Sequence, residues 1–487
     1  MNLIDWVVVA VYALTMLAIG WYYSRRVKTA DDYLLGGRSM PSVTVGVSLF
    51  ATLLSTLSYL ALPGEMIQHG PMVLSQIAAI PFIALVVGRF LIPFIMGLRV
   101  TSAYEILESR LGLSVRILGS SLFLSLRLLW MASILYATAR TVLVQVLEID
   151  PSATIYLCAA MALITIVYTS SGGLRAVVAT DALQSLIMLI GAVTTIVVIS
   201  VELGGVSEWW PTESASHWVE FQFGFDRESR MTFLGMVTAG FTWYVCTAGS
   251  DQMAIQRYLS TRDVKAARRV LTTALISDTA STILLALVGL AVLGYFSVHR
   301  DLMTEGVTFV DGADKLFPRF IIIGLPVGVT GLVVAALLSA AMSSLSSGMN
   351  SSSAVITVDF LERLGGARDT HAGRVRRARY VSVVIGVVVV LLSGLIGTFK
   401  GNLFDLCYKV VNLFTAPLFL LFFMAMFIRW ATPIGTLIAA AASIAVAVSI
   451  SFYKIFDLAM LWIMPGSLVT GIVVGMVASA VTPGKKQ

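Results

Sequence analysis

The sequence predicts an all-α integral membrane protein of about thirteen transmembrane helices, most of them arranged as two five-helix units of opposite orientation. Three observations carry that expectation. Of 487 residues, 58% are hydrophobic and only 12% charged, with a mean hydropathy of +0.90, far from the composition of a soluble domain. Apolar runs of about 20 residues, the length that spans a bilayer, recur along the whole chain and leave no long soluble segment. Two of these runs, in corresponding positions, carry polar interruptions.

Taken in order, residues 1–42 hold one extra span at 3–23 and a basic loop. Asn2 to Asp5 supply no positive n-region and no small-residue cleavage site follows, so this span is expected to be retained rather than removed as a signal peptide. Residues 43–203 form the first unit, with spans at 43–63, 72–98, 117–146, 153–170 and 176–202, and 204–230 an external loop. Residues 231–428 form the second unit, with spans at 231–250, 270–297, 325–358, 380–398 and 403–428. Two further spans, 432–452 and 460–481, lie within 429–487 with a short tail. Five crossings are an odd number, so the second unit enters from the opposite face, as an inverted repeat around a midplane site requires. The first span of each unit is interrupted, by Ser48 to Tyr59 followed by Pro63-Gly64 in one and by Thr242 to Gln252 in the other. Backbone freed at membrane depth is tolerated where it lines a cavity, so the breaks point to an ion or solute site; taken singly, each also reads as an ordinary kink.

The net charge of +6 could indicate nucleic acid or an acidic partner, but its distribution is topological. Assigning alternate loops to the cytoplasm puts about twenty-two Lys/Arg there and about seven outside. The strongest markers are Arg25 to Lys28, Arg257 to Arg269 and Arg374 to Arg379. This places the N-terminus outside and Pro483 to Gln487 in the cytoplasm, with no nucleic-acid partner. Cys158, Cys246 and Cys407 fall in spans, and His69, His217, His299 and His371 in or beside loops, with no metal-ligand spacing.

Polar groups inside the spans are functional candidates by default. Ser343, Ser344, Ser346, Ser347 and Ser351 to Ser353 form a dense hydroxyl ladder in the segment 337–359. Ser343, Ser346 and Ser347 share a helix face, and Ser344 points about 100° around it. Asp181 is expected about five residues above the inner end of its span, roughly 7 Å deep, level with the ladder and with Ala51 and Leu54 in the first break. Carbonyls, hydroxyls and one carboxylate at one level suit hard cations; Asp181 reads alternatively as the partner of a nearby Arg or Lys. Arg127 falls near the midplane and needs an ion-pair partner or an anionic solute. Lys409 is close enough to the outer surface to snorkel. Asp278 has two readings, a cation ligand or a residue packed near the inner loop, and Arg89 and Arg140 read as interfacial.

The strings KTADDYLLGGRSMP (28–41), TSAYEILESRL (101–111), GGLRAVVATDALQ (172–184), DQMAIQRYLSTRDVKAARR (251–269) and AAMSSLSSGMNSSSAV (340–355) resemble the sodium:solute symporter family. They are nearest in motif to bacterial sialic-acid-type and related anion or multivitamin symporters, with spacing also similar to sodium/galactose symporters. The resemblance implies the LeuT-type 5+5 inverted-repeat fold and sodium-driven import of a small polar solute, such as a sugar, sugar acid or other organic anion, by alternating access. Carried over by position, the main sodium site falls on Ala51, Leu54, Ala340, Ser343 and Ser344. A second falls on Asp181, Ser343, Ser346 and Ser347, so one or two Na+ ions are implied. The solute site falls on Ser55, Ser58, Tyr59, Gln76, Trp130 and Asn412, with Arg127 one turn from Trp130, which stands where sialic-acid members carry a carboxylate-binding arginine. A monomer in the plasma membrane, the inner membrane of a bacterium, is the corresponding expectation. Proton coupling through Asp181 is the rival within transport; a membrane sensor and an embedded enzyme are the rivals outside it, and no catalytic residue set supports the last.

Overall fold

The computed structural model describes residues 1–98, 100–229, 231–365, 370–398, 403–453 and 455–482, and among these the side chains of all but 371, 403–408 and 456. The expectations for the side chains of His371 and Cys407 and for the tail 483–487 lie outside the described residues. The extra span is α1 (Leu3–Ser24), capped by Asn2 and Asp5 in a reciprocal box. The first core crossing has two pieces, α2 (Ser42–Leu53) and α3 (Thr56–His69). Residues 70–96 make the next, through 3-10, α and π turns. A short helix, α4 (Glu105–Leu111), precedes α5 (Leu113–Ala137), which continues through a π turn to Leu147. Then come α6 (Thr154–Leu203), the two-piece crossing α7 (Phe233–Ser250) and α8 (Gln252–Leu259), α9 (Val264–Val298) and α10 (Val329–Val355). Helices α11 (His371–Ile396), α12 (Leu403–Phe427), α13 (Pro433–Tyr453) and α14 (Ile463–Val481) complete the chain.

Among the described residues, ten helical segments are long and apolar enough to cross a membrane. Dividing them at Gly70 and Gly173, and adding α7 with α8, gives thirteen traverses among the described residues. Helix α6 contributes two because it turns back at Gly173, whose φ of 60° suits only glycine and whose Cβ would lie 2.6 Å from the Tyr33 carbonyl oxygen. Its neighbours record the reversal. Ile155 and Ile166 lie beside Gly394 and Gly386, descending α11, whereas Asp181 meets Ser347 and Gly191 abuts Ala336, climbing α10.

Helix α10 is central, buried at every position from Val333 to Val355, as expected of a helix with no lipid-facing stripe. At its N-terminus the Gly328 and Gly331 N–H groups donate to Asp5 Oδ1 at 2.7 and 2.9 Å. A carboxylate there complements the helix dipole and fastens α1 to the core. Beyond its far end, Asp359 accepts from Arg116 at 2.5 Å, from Ser102 at 2.6 Å and from Ser120 at 3.1 Å. Arg116 also reaches Glu108 at 2.6 Å, and Arg363 reaches the same carboxylate at 2.6 Å, which ties α4, α5 and the end of the α10 crossing into one clasp.

Arg363 first, and Arg116 with it, hold the Glu108 carboxyl below its ordinary 4.5, against the opposing effect of burial. A lowered carboxylate contributes stability that is complete above the ordinary value and is lost as pH falls through the lowered one. Melting curves of wild type and Glu108→Gln should therefore differ at neutral pH and converge in acid. A separation independent of pH would exclude a charge-based clasp.

Candidate functional site

Each broken crossing is interrupted by extended residues that cap the following helix. Leu54 (φ −80°, ψ 111°) and Ser55 (φ −101°, ψ 167°) separate α2 from α3, and Ser55 Oγ accepts from the Ser58 N–H at 3.2 Å. Asp251 (φ −80°, ψ 125°) separates α7 from α8, and its Oδ1 accepts from the Met253 N–H at 2.8 Å. Side-chain oxygens thus satisfy helix ends that lipid could not. Pro63, which follows the polar stretch in the sequence, sits inside α3, about two turns beyond the break.

The serine ladder lies against the first break. Ser343 Oγ donates to the Ala51 carbonyl at 2.9 Å and lies 3.2 Å from that of Ala340, while Ser344 Oγ donates to the Thr52 carbonyl at 3.3 Å. Oxygens from α2 and α10 therefore converge at spacings that one small cation can bridge. Ser346 turns elsewhere, donating to the Ser343 carbonyl at 3.1 Å. Ser351 bonds the Ser347 carbonyl one turn back, as helix serines ordinarily do, and Ser353 reaches across to the Ala378 carbonyl of α11.

Asp181 lies eight residues beyond the turn at Gly173, about 12 Å along the helix, deeper than the five-residue offset expected. Its Oδ2 accepts from Ser48 at 2.5 Å, from Arg257 Nη2 at 3.0 Å and from Ser347 at 3.3 Å. Arg257 is 1% exposed and also reaches Ser347 at 2.6 Å, Thr52 Oγ1 at 2.5 Å, Ser48 at 3.0 Å and the Met253 carbonyl at 3.0 Å. Of the set expected to ligate a second ion, Asp181 and Ser347 are joined by a guanidinium, with Ser48 and Thr52 added, while the Ser343 and Ser346 hydroxyls bond backbone carbonyls. Sequence reasoning read Arg257 only as a marker of the cytoplasmic side. Its spacing carries no signal of this role; the fold buries α8, with Gln252, Gln256 and Arg257, at every position.

Arg127, 7% exposed, pairs with Asp251 Oδ2, so α5 is tied to the second break. Of its two readings the ion pair is the one the geometry shows. The Tyr59 hydroxyl donates to the Met188 carbonyl at 2.9 Å, and the residue is 1% exposed. Ser55 and Ser58 lie at the first break with their hydroxyls 3.3 Å apart. Gln76 is half-buried beside Gly240 of α7, Trp130 is half-buried one turn along α5 from Arg127, and Asn412 is buried on α12. Lys409 lies over the Phe452 ring at 5.3 Å, consistent with an outlying role.

The sequence profile of the sodium:solute symporter family matches residues 33–442, which include both breaks, Asp181 and the whole serine ladder. The chain belongs to the sodium:solute symporter family. Among relatives of this sodium:solute symporter, the sodium/sialic acid symporter SiaT of Proteus mirabilis is 31% identical over 434 residues, covering 88% of this chain and 85% of that one. The rabbit (Oryctolagus cuniculus) sodium-dependent multivitamin transporter is 28% identical, covering 98% and 73%. A solved Na+-coupled sialic acid symporter, substrate-bound and outward-open, superimposes with a TM-score of 0.89 at 27% identity, over 100% of this chain and 99% of that one. The fold is therefore LeuT-type, all-helical and multi-pass, and the protein is a sodium-coupled symporter of a small solute.

Proposed function

We propose that this symporter moves a small polar organic solute inward with two sodium ions, its N-terminus outside and its C-terminus in the cytoplasm of a bacterial-type inner membrane. The repeats are 43–203 and 231–428, and a monomer with no enzymatic activity carries out the cycle. The observation that carries the reading is the contact of Ser343 Oγ with the Ala51 carbonyl, which joins the broken α2 to the ladder of α10. Sodium at the main set of Ala51, Leu54, Ala340, Ser343 and Ser344 would tie the two helices together and favour the state open to the outside. A ligand shifts a conformational equilibrium only by its differential affinity for the two states, so the ion is effective because its oxygens come from both moving parts. Solute then binds between the breaks, near Ser55, Ser58, Gln76 and Trp130, with Asn412 on α12, and rocking of one helix group releases both to the cytoplasm.

The second ion belongs at Asp181 with Ser343 and Ser347, and it requires Arg257 to yield part of its hydrogen bonding. The named cargoes of relatives, sialic acid and vitamins, put organic acids in the first panel to be tested. Against an acid, the two guanidiniums beside the breaks are already paired with Asp181 and Asp251.

Uptake into proteoliposomes with and without an inward sodium gradient tests the reading, and accumulation indifferent to sodium would sink it. Within it, Ser344→Ala should abolish sodium-driven uptake, whereas Ser346→Ala, which removes a hydroxyl bonded to the Ser343 carbonyl, should leave the sodium dependence close to wild type. An equal loss in both would remove the distinction between the two faces of the ladder.

A further inference from the structure

Helix α1 has two faces along its whole length. Tyr12, Met16 and Gly20 are buried against the core, whereas Ile4, Val7, Val11, Leu14, Ala18 and Trp21 are exposed in one continuous stripe. Spacings of three and four residues keep such a stripe on one side of a helix, here the side turned to lipid. Arg25 is the next position of that stripe, and it keeps helical geometry at φ −76° and ψ −12°. Its guanidinium lies 3.9 Å from the centre of the Trp21 ring, and that of Arg26 lies 4.2 Å from the centre of the Tyr22 ring. Both aromatic residues are about half-exposed.

The level of these pairs follows from α6. That helix turns back at Gly173, where two apolar traverses meet, so the turn marks an edge of the membrane. A Cβ on Gly172 would lie 3.1 Å from the Gly20 carbonyl oxygen and 3.4 Å from the Tyr23 Cβ. Trp21 and Tyr22 therefore stand at that edge, with Arg25, Arg26 and Lys28 about one turn or more beyond it. The three cations are exposed, and among the described residues none joins an ion pair. Asp31 and Asp32, the next acids in sequence, are held by Arg38 and Arg175.

We propose that the C-terminal end of α1 binds the headgroup of an anionic phospholipid, with the phosphate on Arg25 and the acyl chains along the exposed stripe. A guanidinium lying flat on a ring keeps its N–H edges free, and their planar fork matches phosphate oxygens. Aromatic rings at headgroup level hold it there, while Arg26 and Lys28 add long-range attraction for a negatively charged surface. A zwitterionic headgroup compensates its own phosphate, and a free phosphate has no chains to lay on the stripe. The site is independent of the cargo and of the number of sodium ions; only its assignment to the cytoplasmic leaflet rests on the orientation proposed above.

The full-length protein in detergent is titrated with phosphatidylglycerol or with phosphatidylcholine of the same chains, melting is followed, and retained lipid is counted by native mass spectrometry. Wild type should retain phosphatidylglycerol and be stabilised by it well beyond the effect of phosphatidylcholine. Arg25→Gln combined with Arg26→Gln should weaken phosphatidylglycerol about thirtyfold, each cation near a lipid surface contributing about fivefold, with phosphatidylcholine unchanged. Trp21→Leu keeps every charge but removes the surface on which Arg25 lies, so it should weaken the same lipid severalfold and keeps the test decisive should the double variant not fold. Equal affinity for phosphatidylglycerol in wild type and both variants, or an equal response of the wild type to the two lipids, overturns the site. Stabilisation by inorganic phosphate matching that by phosphatidylglycerol would assign the cations to a free anion, and a dimer that dissociates on Trp21→Leu would assign the stripe to a second copy; either result overturns the lipid. Labelling of Lys28→Cys by an impermeant maleimide added outside intact cells would overturn the cytoplasmic assignment alone.

Discussion

Arg257→Ala is expected to turn a fold that tolerates sodium-free buffer into one that depends on sodium. The guanidinium is completely enclosed and connects α8 to α2, α6 and α10 through Ser48, Thr52, Asp181 and Ser347. Removing it leaves Asp181 facing hydroxyls alone, with its second oxygen, Oδ1, already buried and without a partner. Breaking a buried ion pair from one side costs about 3–5 kcal/mol, because the remaining charge is uncompensated. A sodium ion can supply that compensation among the same oxygens. At about a hundredfold excess over its dissociation constant, a ligand specific for the folded state returns about 2.7 kcal/mol. Melting of wild type and Arg257→Ala in potassium and in sodium measures this directly. The variant should be strongly destabilised in potassium and rescued by sodium by more than the wild type gains. Equal melting in the two salts would show that Asp181 takes no cation in place of the guanidinium. Arg257→Lys, with the charge but not the planar fork, should lie between.

What was legible in the sequence was whatever depends on periodicity and on single positions. Apolar length located the crossings, and the breaks at Leu54 and Asp251 were visible as polar stretches where lipid forbids them. The ladder placed Ser343 beside Ala51 because both lie at a depth set by helical rise. Four placements required the fold. Arg257 sits within a string of loop arginines, and nothing in its spacing distinguishes it from Arg262 or Arg268; only the redirection of the chain at Asp251 carries α8 inside. Tyr59 and Arg127 have the polarity of ligands, yet long side chains reach whichever partner packing supplies, here Met188 and Asp251. Ser346 shares a face with Ser343 in projection, but its hydroxyl is turned to a carbonyl of its own helix. Rise and periodicity specify depth and face, whereas the partner of a flexible polar group is a property of the assembled core.

Arg127 and Asp251 should behave as a single unit in a double-mutant cycle. The pair connects α5 to the break between α7 and α8, with side-chain exposures of 8% and 3%. Asp251 performs two tasks, capping α8 through Oδ1 and pairing with Arg127 through Oδ2. Asn keeps the capping oxygen and discards the charge, so Asp251→Asn isolates the ion pair from the helix end. Arg127→Met preserves much of the side chain's apolar stem. Each single change strands the other charge and is expected to cost about 3–5 kcal/mol, whereas the double change strands neither and should recover much of the loss. A coupling energy of a few kcal/mol from melting or denaturant curves without solute would establish the pair as part of the architecture, since distant or independent sites add within about 0.5 kcal/mol. The competing role makes the opposite pattern. Were Arg127 held ready for a solute carboxylate, Arg127→Met would leave the solute-free protein as stable as wild type and impair only uptake. The pair also bears on the proposed transport cycle, because it holds the break between α7 and α8; variants that fold but lose the pair should lose sodium-driven uptake more steeply than they lose sodium binding.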